Sequence, residues 1–196
     1  MDSKTIETYT SGAAGYTTEW ANQPAPGDLY ARLTQYFRPR GTTVDVGCGS
    51  GRDVAWLNDH GYPAVGYDAS EGLIAQAAAE YPRYAFGLAT LPELTGVPNA
   101  SFDNALCETV IMHLPVAQID AACRRLVELL KPGGVLYLSW RVTAGDSARD
   151  SAGRLYSAFD PVLVIGALEG TTIALDEDAV NRSSGKRVQR IVAIRA

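Results

Sequence analysis

Short apolar runs of strand length alternate with apolar residues at helical spacing along most of the chain. "TTVDVGC" is a β-branched run stopped by glycine, and "GRDVAWLNDHG" then sets Val54 and Leu57, with Ala55 and Trp56 beside them, on helical spacing closed by Gly61. This predicts a strand, a tight turn and a helix. "PAVGYDAS" predicts a second short strand, and "SEGLIAQAAAEYP" a helix capped by Ser70 and closed before Pro82. "YAFG" is a third strand, and "SFDNALCETVIMHLP" is a fourth that runs into a loop. In "AQIDAACRRLVELLKPGG", Ile119, Cys123, Leu126, Val127 and Leu130 share one helical face ahead of a Pro-Gly-Gly stop. "VLYLSW" is a fifth strand, and "TTIALDED" and "RVQRIVAIRA" are two late strands expected as an antiparallel pair at one sheet edge. Ahead of the first strand, residues 1–40 are polar with scattered aromatics, and Pro24, Pro26 and Gly27 interrupt them. One or two short helices are expected there.

Strand–helix units joined in this way pack as a mainly parallel sheet with helices on both faces, because the right-handed crossover leaves few other arrangements. With 196 residues, 46% of them hydrophobic, the chain is expected to form one domain, residues 1–40 acting as a helical lid on a core of residues 41–196. A net charge of −5 offers phosphate polymers no overall attraction, and the Lys186, Arg187, Arg190 run reads as a solvated strand edge, so no nucleic-acid partner is expected. Cys48, Cys107 and Cys123 are odd in number and lack the close pairing of a zinc or redox site, which fits reduced thiols in a cytoplasmic protein without a metal centre. The N-terminus has no apolar signal core, and no run approaches the ~18 apolar residues of a membrane span, so no membrane partner is expected.

The chemistry gathers where the first strand ends. In parallel sheets of this kind, ligands bind beyond the carboxyl ends of the strands, where the strand order reverses. Gly47, Gly49 and Gly51 follow Asp45 in the spacing D-x-G-x-G-x-G, and without Cβ atoms they let a ligand lie almost on the backbone. The helix that follows offers free N–H groups to an anion. Asp68, at the end of the second strand, is placed to accept hydrogen bonds from both hydroxyls of a ribose. The ligand implied is a nucleoside joined to an anionic or zwitterionic group. A nicotinamide-type G-x-G-x-x-G from Gly47 needs glycine where Arg52 stands, and a P-loop needs an absent Gly-Lys-Ser/Thr.

With "VDVGCGSG", "GYDAS", "FDNALCETVIMHL" and "LLKPGGVLYLS" in this order over roughly residues 40 to 140, the chain resembles the class I S-adenosylmethionine-dependent methyltransferases. Tyr9, Ala13 and Tyr16 also resemble the aromatic lead-in of many small-molecule members. The resemblance implies an α/β fold, a three-layer α-β-α sandwich on a Rossmann-like, mostly parallel seven-stranded sheet with an antiparallel last strand. It implies S-adenosylmethionine as cofactor. Gly47, Gly49 and Gly51, with Cys48, would cradle the methionine part, and Asp45 would help hold its amino group. Asp68, with Ala69, would take the ribose, and the Cys107 carbonyl would sit beside the sulfonium. Where many relatives carry an aspartate for the adenine amine, this chain has Leu88, which passes the adenine contact to apolar packing and to backbone around Ala89.

Methyl transfer from a sulfonium is an in-line displacement that requires alignment and exclusion of water rather than a catalytic triad. A base is needed only where the acceptor atom arrives protonated, and Glu108 and His113, in and after the fourth strand, are the candidate catalytic groups. Among the N-terminal aromatics, Tyr16 is favoured over Tyr9 and Trp20 to close over the sulfonium. Arg141 and Arg154 flank the segment after the fifth strand and read first as solvated, second as anchors for an acidic acceptor. With no large insertion after the fifth strand, the expected partner is a small-molecule methyl acceptor, and the expected assembly a monomer or homodimer. Two other readings share these residues: an NAD(P)-dependent oxidoreductase, disfavoured by Arg52, and a domain that binds S-adenosylmethionine without catalysis.

Overall fold

The computed structural model describes all 196 residues. Three helices lead in, α1 (Ser3–Ser11), α2 (Ala13–Ala21) and α3 (Gly27–Tyr36), where one or two were expected. The Asp2 side chain starts α1 by accepting from the Thr5 N–H at 2.9 Å, Gly12 parts α1 from α2, and the segment holding Pro24 and Pro26 parts α2 from α3. The alternation then begins with β1 (Thr43–Val46), α4 (Arg52–Asp59), β2 (Ala64–Asp68), α5 (Glu71–Glu80) and β3 (Ala85–Leu88). Ser70 caps α5 as expected, accepting from the Leu73 N–H at 3.2 Å. β4 (Phe102–Glu108), a 3₁₀ turn at Ile111–His113, α6 (Val116–Leu129) and β5 (Leu130–Arg141) follow. A two-residue hairpin, β6 (Ala148–Arg149) and β7 (Leu155–Tyr156), leads to α7 (Pro161–Ala167), β8 (Thr171–Val180) and β9 (Arg187–Arg195).

The sheet runs β3-β2-β1-β4-β5-β9-β8. β1 to β5 are parallel, and β9 lies antiparallel to both neighbours, giving the expected seven-stranded Rossmann-like sheet. The period of two along each strand sorts the core onto two faces. Leu136, Leu138 and Trp140 of β5 pack with Ile119, Cys123 and Leu126 of α6 and Val164 of α7, while Val135 and Tyr137 pack with Leu29 and Leu33 of α3 and Leu57 of α4. The three cysteines are free and buried. No helix is long and apolar enough to cross a membrane.

One expectation about charge is overturned. Arg190 does not sit on a solvated edge, because β9 is inserted between β5 and β8. Its side chain is 4% exposed and pairs with Asp28 of α3 and, at 3.6 Å, with Glu177 of β8. A guanidinium so far from water needs these partners to offset its desolvation.

Candidate active site

The strand order reverses between β1 and β4, leaving a crevice beyond their carboxyl ends. The β1–α4 turn forms its floor. Gly47 has φ +81°, and a Cβ there would come 2.2 Å from Cγ2 of Val110; Gly49 has φ +54°, with its would-be Cβ 3.1 Å from the Trp20 ring. The N–H groups of Gly47 and Cys48 both donate to the Tyr67 carbonyl, at 2.7 and 3.0 Å, which ties the turn to β2.

Asp68 clasps the same turn from the side. Its Oδ2 accepts from the Gly49 N–H at 2.9 Å and its Oδ1 from the Ser70 N–H at 2.8 Å, while its carbonyl accepts from the Ala89 N–H at 3.0 Å. Three positions picked out separately in the sequence are joined through one residue. Each Asp68 oxygen keeps a further lone pair for a ligand. Burial raises the Asp68 pKa against the pull of the Ser70, Gly49 and Ala69 N–H groups. Asp45, 2% exposed, is pushed well above the usual carboxylate range by burial and by the neighbouring Asp53 and Asp68 charges, with Arg52 opposing.

Above the turn lies a cleft of about 270 Å³, whose lining includes Gly47, Cys48, Gly49, Asp68, Ala69, Ala89, Glu108 and His113. Tyr16, Asp45, Gly51, Leu88 and Cys107 stand outside that lining. Asp45 and Cys107 are buried within β1 and β4, Gly51 lies beneath the turn against Phe86, and Leu88 is 52% exposed at the end of the edge strand β3. Tyr16 stacks on Trp20 with centroids 5.7 Å apart, and of the N-terminal aromatics Tyr9 and Trp20 reach the cleft, where Tyr156 joins them from the β6–β7 hairpin.

Glu108 ends β4 between two donors. Ser139 Oγ donates to its Oε2, and Asn181 Nδ2 donates to Oε1 at 3.0 Å. Burial raises its pKa to about 7, with the Ser139 hydrogen bond pulling the other way. His113 is locked differently: its Nδ1 lies 2.6 Å from the Leu155 carbonyl, which only accepts, so Nδ1 carries the proton and Nε2 accepts from the Tyr9 hydroxyl at 3.2 Å. Burial lowers the His113 pKa to about 4, aided by the Arg154 charge and opposed by the Leu155 carbonyl. Arg154, read from the sequence as solvated, is half-buried against the faces of Tyr9, Tyr16 and Tyr156 and pairs with Asp150 at 2.7 Å.

Among the lining residues that had no site role in the sequence reading, Arg52 and Asn181 carry the most polar chemistry. Arg52 counted only against a nicotinamide fingerprint, yet it reaches the cleft while pairing with Asp53 at 2.9 Å. Asn181 opens the β8–β9 turn, where its Oδ1 accepts from the Ser183 and Ser184 N–H groups at 3.0 and 3.1 Å. The only signal for it was the turn-rich "NRSSG" between two strands.

A family model described as a methyltransferase domain matches residues 44–138. The chain is 35% identical over 113 residues to a trans-aconitate 2-methyltransferase of Deinococcus radiodurans, a match covering 56% of this chain and 40% of that one. It spans less than half the length of the curated relatives it matches. Among solved structures, it superposes on the magnesium protoporphyrin IX methyltransferase of Synechocystis PCC 6803 with S-adenosylmethionine bound, at TM-score 0.76 and 20% identity, covering 100% of this chain and 98% of that one. It also superposes on the 1,6-didemethyltoxoflavin-N1-methyltransferase of Burkholderia thailandensis, crystallised with 1,6-didemethyltoxoflavin and S-adenosylhomocysteine, at TM-score 0.73 and 23% identity over 98% of this chain and 88% of that one.

Proposed function

We propose that the chain, whose residues 44–138 match a methyltransferase-domain model, is a class I S-adenosylmethionine-dependent methyltransferase that transfers a methyl group to a small-molecule acceptor held in the cleft above the β1–α4 turn. The observation that carries this reading is the clasp of Asp68 on the Gly49 N–H, which brings a carboxylate and a glycine backbone to one cleft wall. These donors and acceptors fit the cofactor: a carboxylate for ribose hydroxyls, bare backbone for the methionine moiety, a guanidinium at Arg52 for its carboxylate, and the faces of Tyr9 and Trp20 for a cation.

S-adenosylmethionine supplies, when bound, a methyl carbon already activated on a sulfonium. The chain's own residues then bind, align and exclude water. We assign Asp68, with Ala69 and Ala89 beside it, to the nucleoside end, and Gly47, Cys48 and Gly49 to the methionine end. Asp45 and Gly51 support the turn from beneath. Glu108, poised between its charged and neutral forms near neutral pH, is suited to accept a proton from an acceptor heteroatom. His113, with its Nε2 occupied by Tyr9, serves to fix the wall rather than to exchange protons. Helices α1 and α2 close the cleft as its lid over the rest of a single domain.

Calorimetric titration with S-adenosylmethionine, S-adenosylhomocysteine and NAD(H) in parallel tests the cofactor. Saturable binding of the first two and not the third is expected, whereas binding of NAD(H) alone would overturn the reading. Binding without S-adenosylhomocysteine formation across a broad acceptor panel would favour the non-catalytic alternative.

A further inference from the structure

Three arginines line the cleft, and two of them are neutralised: Arg52 by Asp53 at 2.9 Å and Arg154 by Asp150 at 2.7 Å. Arg141, at the end of β5, makes no ion pair. Its nearest aromatic partner is the face of Tyr156, 5.1 Å from ring centroid to guanidinium carbon. Like the other two it is neither buried nor fully exposed. A partly desolvated guanidinium without a counter-charge is unfavourable unless an anion completes it.

The surroundings define what that anion is attached to. The same end of the cleft is lined by Tyr9, Met112, His113, Arg154 and Tyr156, and Leu91 lines the cleft as well. His113 is held neutral, Arg154 is balanced by Asp150, and the lining carboxylates Asp53, Asp68 and Glu108 make no salt bridge to Arg141. Arg141 is therefore the partly buried guanidinium left without a counter-charge, framed by apolar and aromatic surface, and Lys186, an exposed lysine that also lines the cleft without an ion pair, adds to the positive charge there. The hairpin that presents Tyr156 is itself fixed in place: the Leu155 N–H donates to Thr5 Oγ1 at 2.9 Å, the Ser157 N–H to the Met112 carbonyl at 2.8 Å, and Arg149 pairs with Asp2 at 2.8 Å.

We infer that the methyl acceptor is a carboxylate-bearing small molecule whose acid group is held by Arg141, with its unsaturated or apolar body against Tyr156 and Tyr9. A guanidinium presents two parallel N–H groups to a carboxylate, and Arg154, locked by Asp150 and three tyrosines, stiffens the wall on which Arg141 rests. The assignment rests on the methyl-transfer reading, since it makes this end of the cleft the acceptor end. The half-buried setting matters because a fully exposed arginine would bind an anion only weakly.

The test uses matched pairs of simple probes, benzoate against benzamide and tricarballylate against its trimethyl ester, with phenyl phosphate as a further arm. Each is titrated calorimetrically into the full chain, with and without saturating S-adenosylhomocysteine. Both carboxylates are expected to bind at least about ten-fold tighter than their uncharged partners and tighter than phenyl phosphate. Arg141→Gln is expected to abolish the preference while leaving S-adenosylhomocysteine affinity unchanged, and Arg141→Lys to restore part of it. Equal binding of charged and uncharged partners, tighter binding of phenyl phosphate, no binding by any carboxylate, or a preference that survives Arg141→Gln would each overturn the inference. If Arg141→Gln does not fold, the wild-type pairs and Arg141→Lys still decide it. Arg141-dependent carboxylate binding in a protein that ignores S-adenosylhomocysteine would sink the cofactor reading and leave the anion site standing.

Discussion

The side-chain amide of Asn181 donates a 3.0 Å hydrogen bond to Glu108, 73 residues away, and so fastens the β8–β9 turn to the end of β4. The bond gives the last hairpin a hold on the one cleft-lining carboxylate whose pKa is raised to about 7. Removing the amide in Asn181→Ala withdraws a donor from the charged form, which pushes the Glu108 pKa higher still. Carbon NMR titration of the glutamate carboxyl is expected to show its midpoint moving up relative to wild type. An unmoved midpoint would mean the amide does not tune the acid.

Glu108 also bears on stability. Its pKa rises from an ordinary 4.5 to about 7 on folding, so between those values the folded chain holds a proton that the unfolded chain has released. Stability from this group is complete below 4.5 and is lost as pH rises towards 7. Glu108→Gln is expected to flatten that slope and to be more stable than wild type at about pH 8, by roughly 1–3 kcal/mol. Urea denaturation at several pH values measures it, and parallel slopes in the two proteins would contradict the assignment.

Asp68→Asn keeps the size of the side chain but removes its charge and replaces one of the two accepting oxygens by an NH2 that cannot accept from the Gly49 or Ser70 N–H. Charge-assisted hydrogen bonds contribute about 1.5–3 kcal/mol each, so S-adenosylhomocysteine affinity is expected to fall about 10- to 100-fold in a folded protein. Calorimetry and circular dichroism together separate loss of binding from loss of fold.

A methyl group at position 47 meets two penalties, a left-handed backbone and a collision with Val110. Gly47→Ala is expected to lower stability by more than the ~1 kcal/mol typical of the backbone alone. Val110→Ala added to it should recover part of the loss, a coupling that a double-mutant cycle reads directly. Strict additivity of the two changes would show that the collision relaxes elsewhere.

His113 behaves in the opposite sense to Glu108. Burial holds its pKa near 4 against an ordinary 6.5, so the unfolded chain binds the extra proton first, and stability is lost as pH falls from 6.5 towards 4. Nitrogen-detected NMR is expected to show a single Nδ1–H tautomer and no imidazolium at neutral pH. Tyr9→Phe should leave Nε2 without its donor and shift that resonance without changing the tautomer.

The floor of the cleft was legible because each of its signals is local. The glycines lie within a few residues of the strand they end, and Asp68 closes the next strand, so period and spacing suffice. The walls were not legible, because they join distant segments: Thr5 meets Leu155 across 150 positions, and Asn181 meets Glu108 across 73. Helical spacing grouped Tyr9, Tyr16 and Trp20, but which ring reaches the cleft depends on how α1 and α2 dock, and Gly12, which parts them, carries no capping side chain to mark the break. The short α7, "PVLVIGA", is too uniformly apolar to show a period, although Asp160 and Pro161 mark its start. Arg190 was misjudged for a related reason, since nothing in a strand's sequence states which strands will flank it.

The division between floor and walls has a consequence for change over generations. The β1–α4 turn and Asp68 are bound to one another through backbone and core, so a substitution there disturbs the sheet as well as the cleft. The wall loops, drawn from both ends of the chain, hang on a few side-chain ties and can be rewritten singly. If the chain transfers methyl groups as proposed, a descendant can therefore acquire a taste for a new acceptor by altering one tie at a time, keeping throughout the machinery that makes any acceptor worth holding.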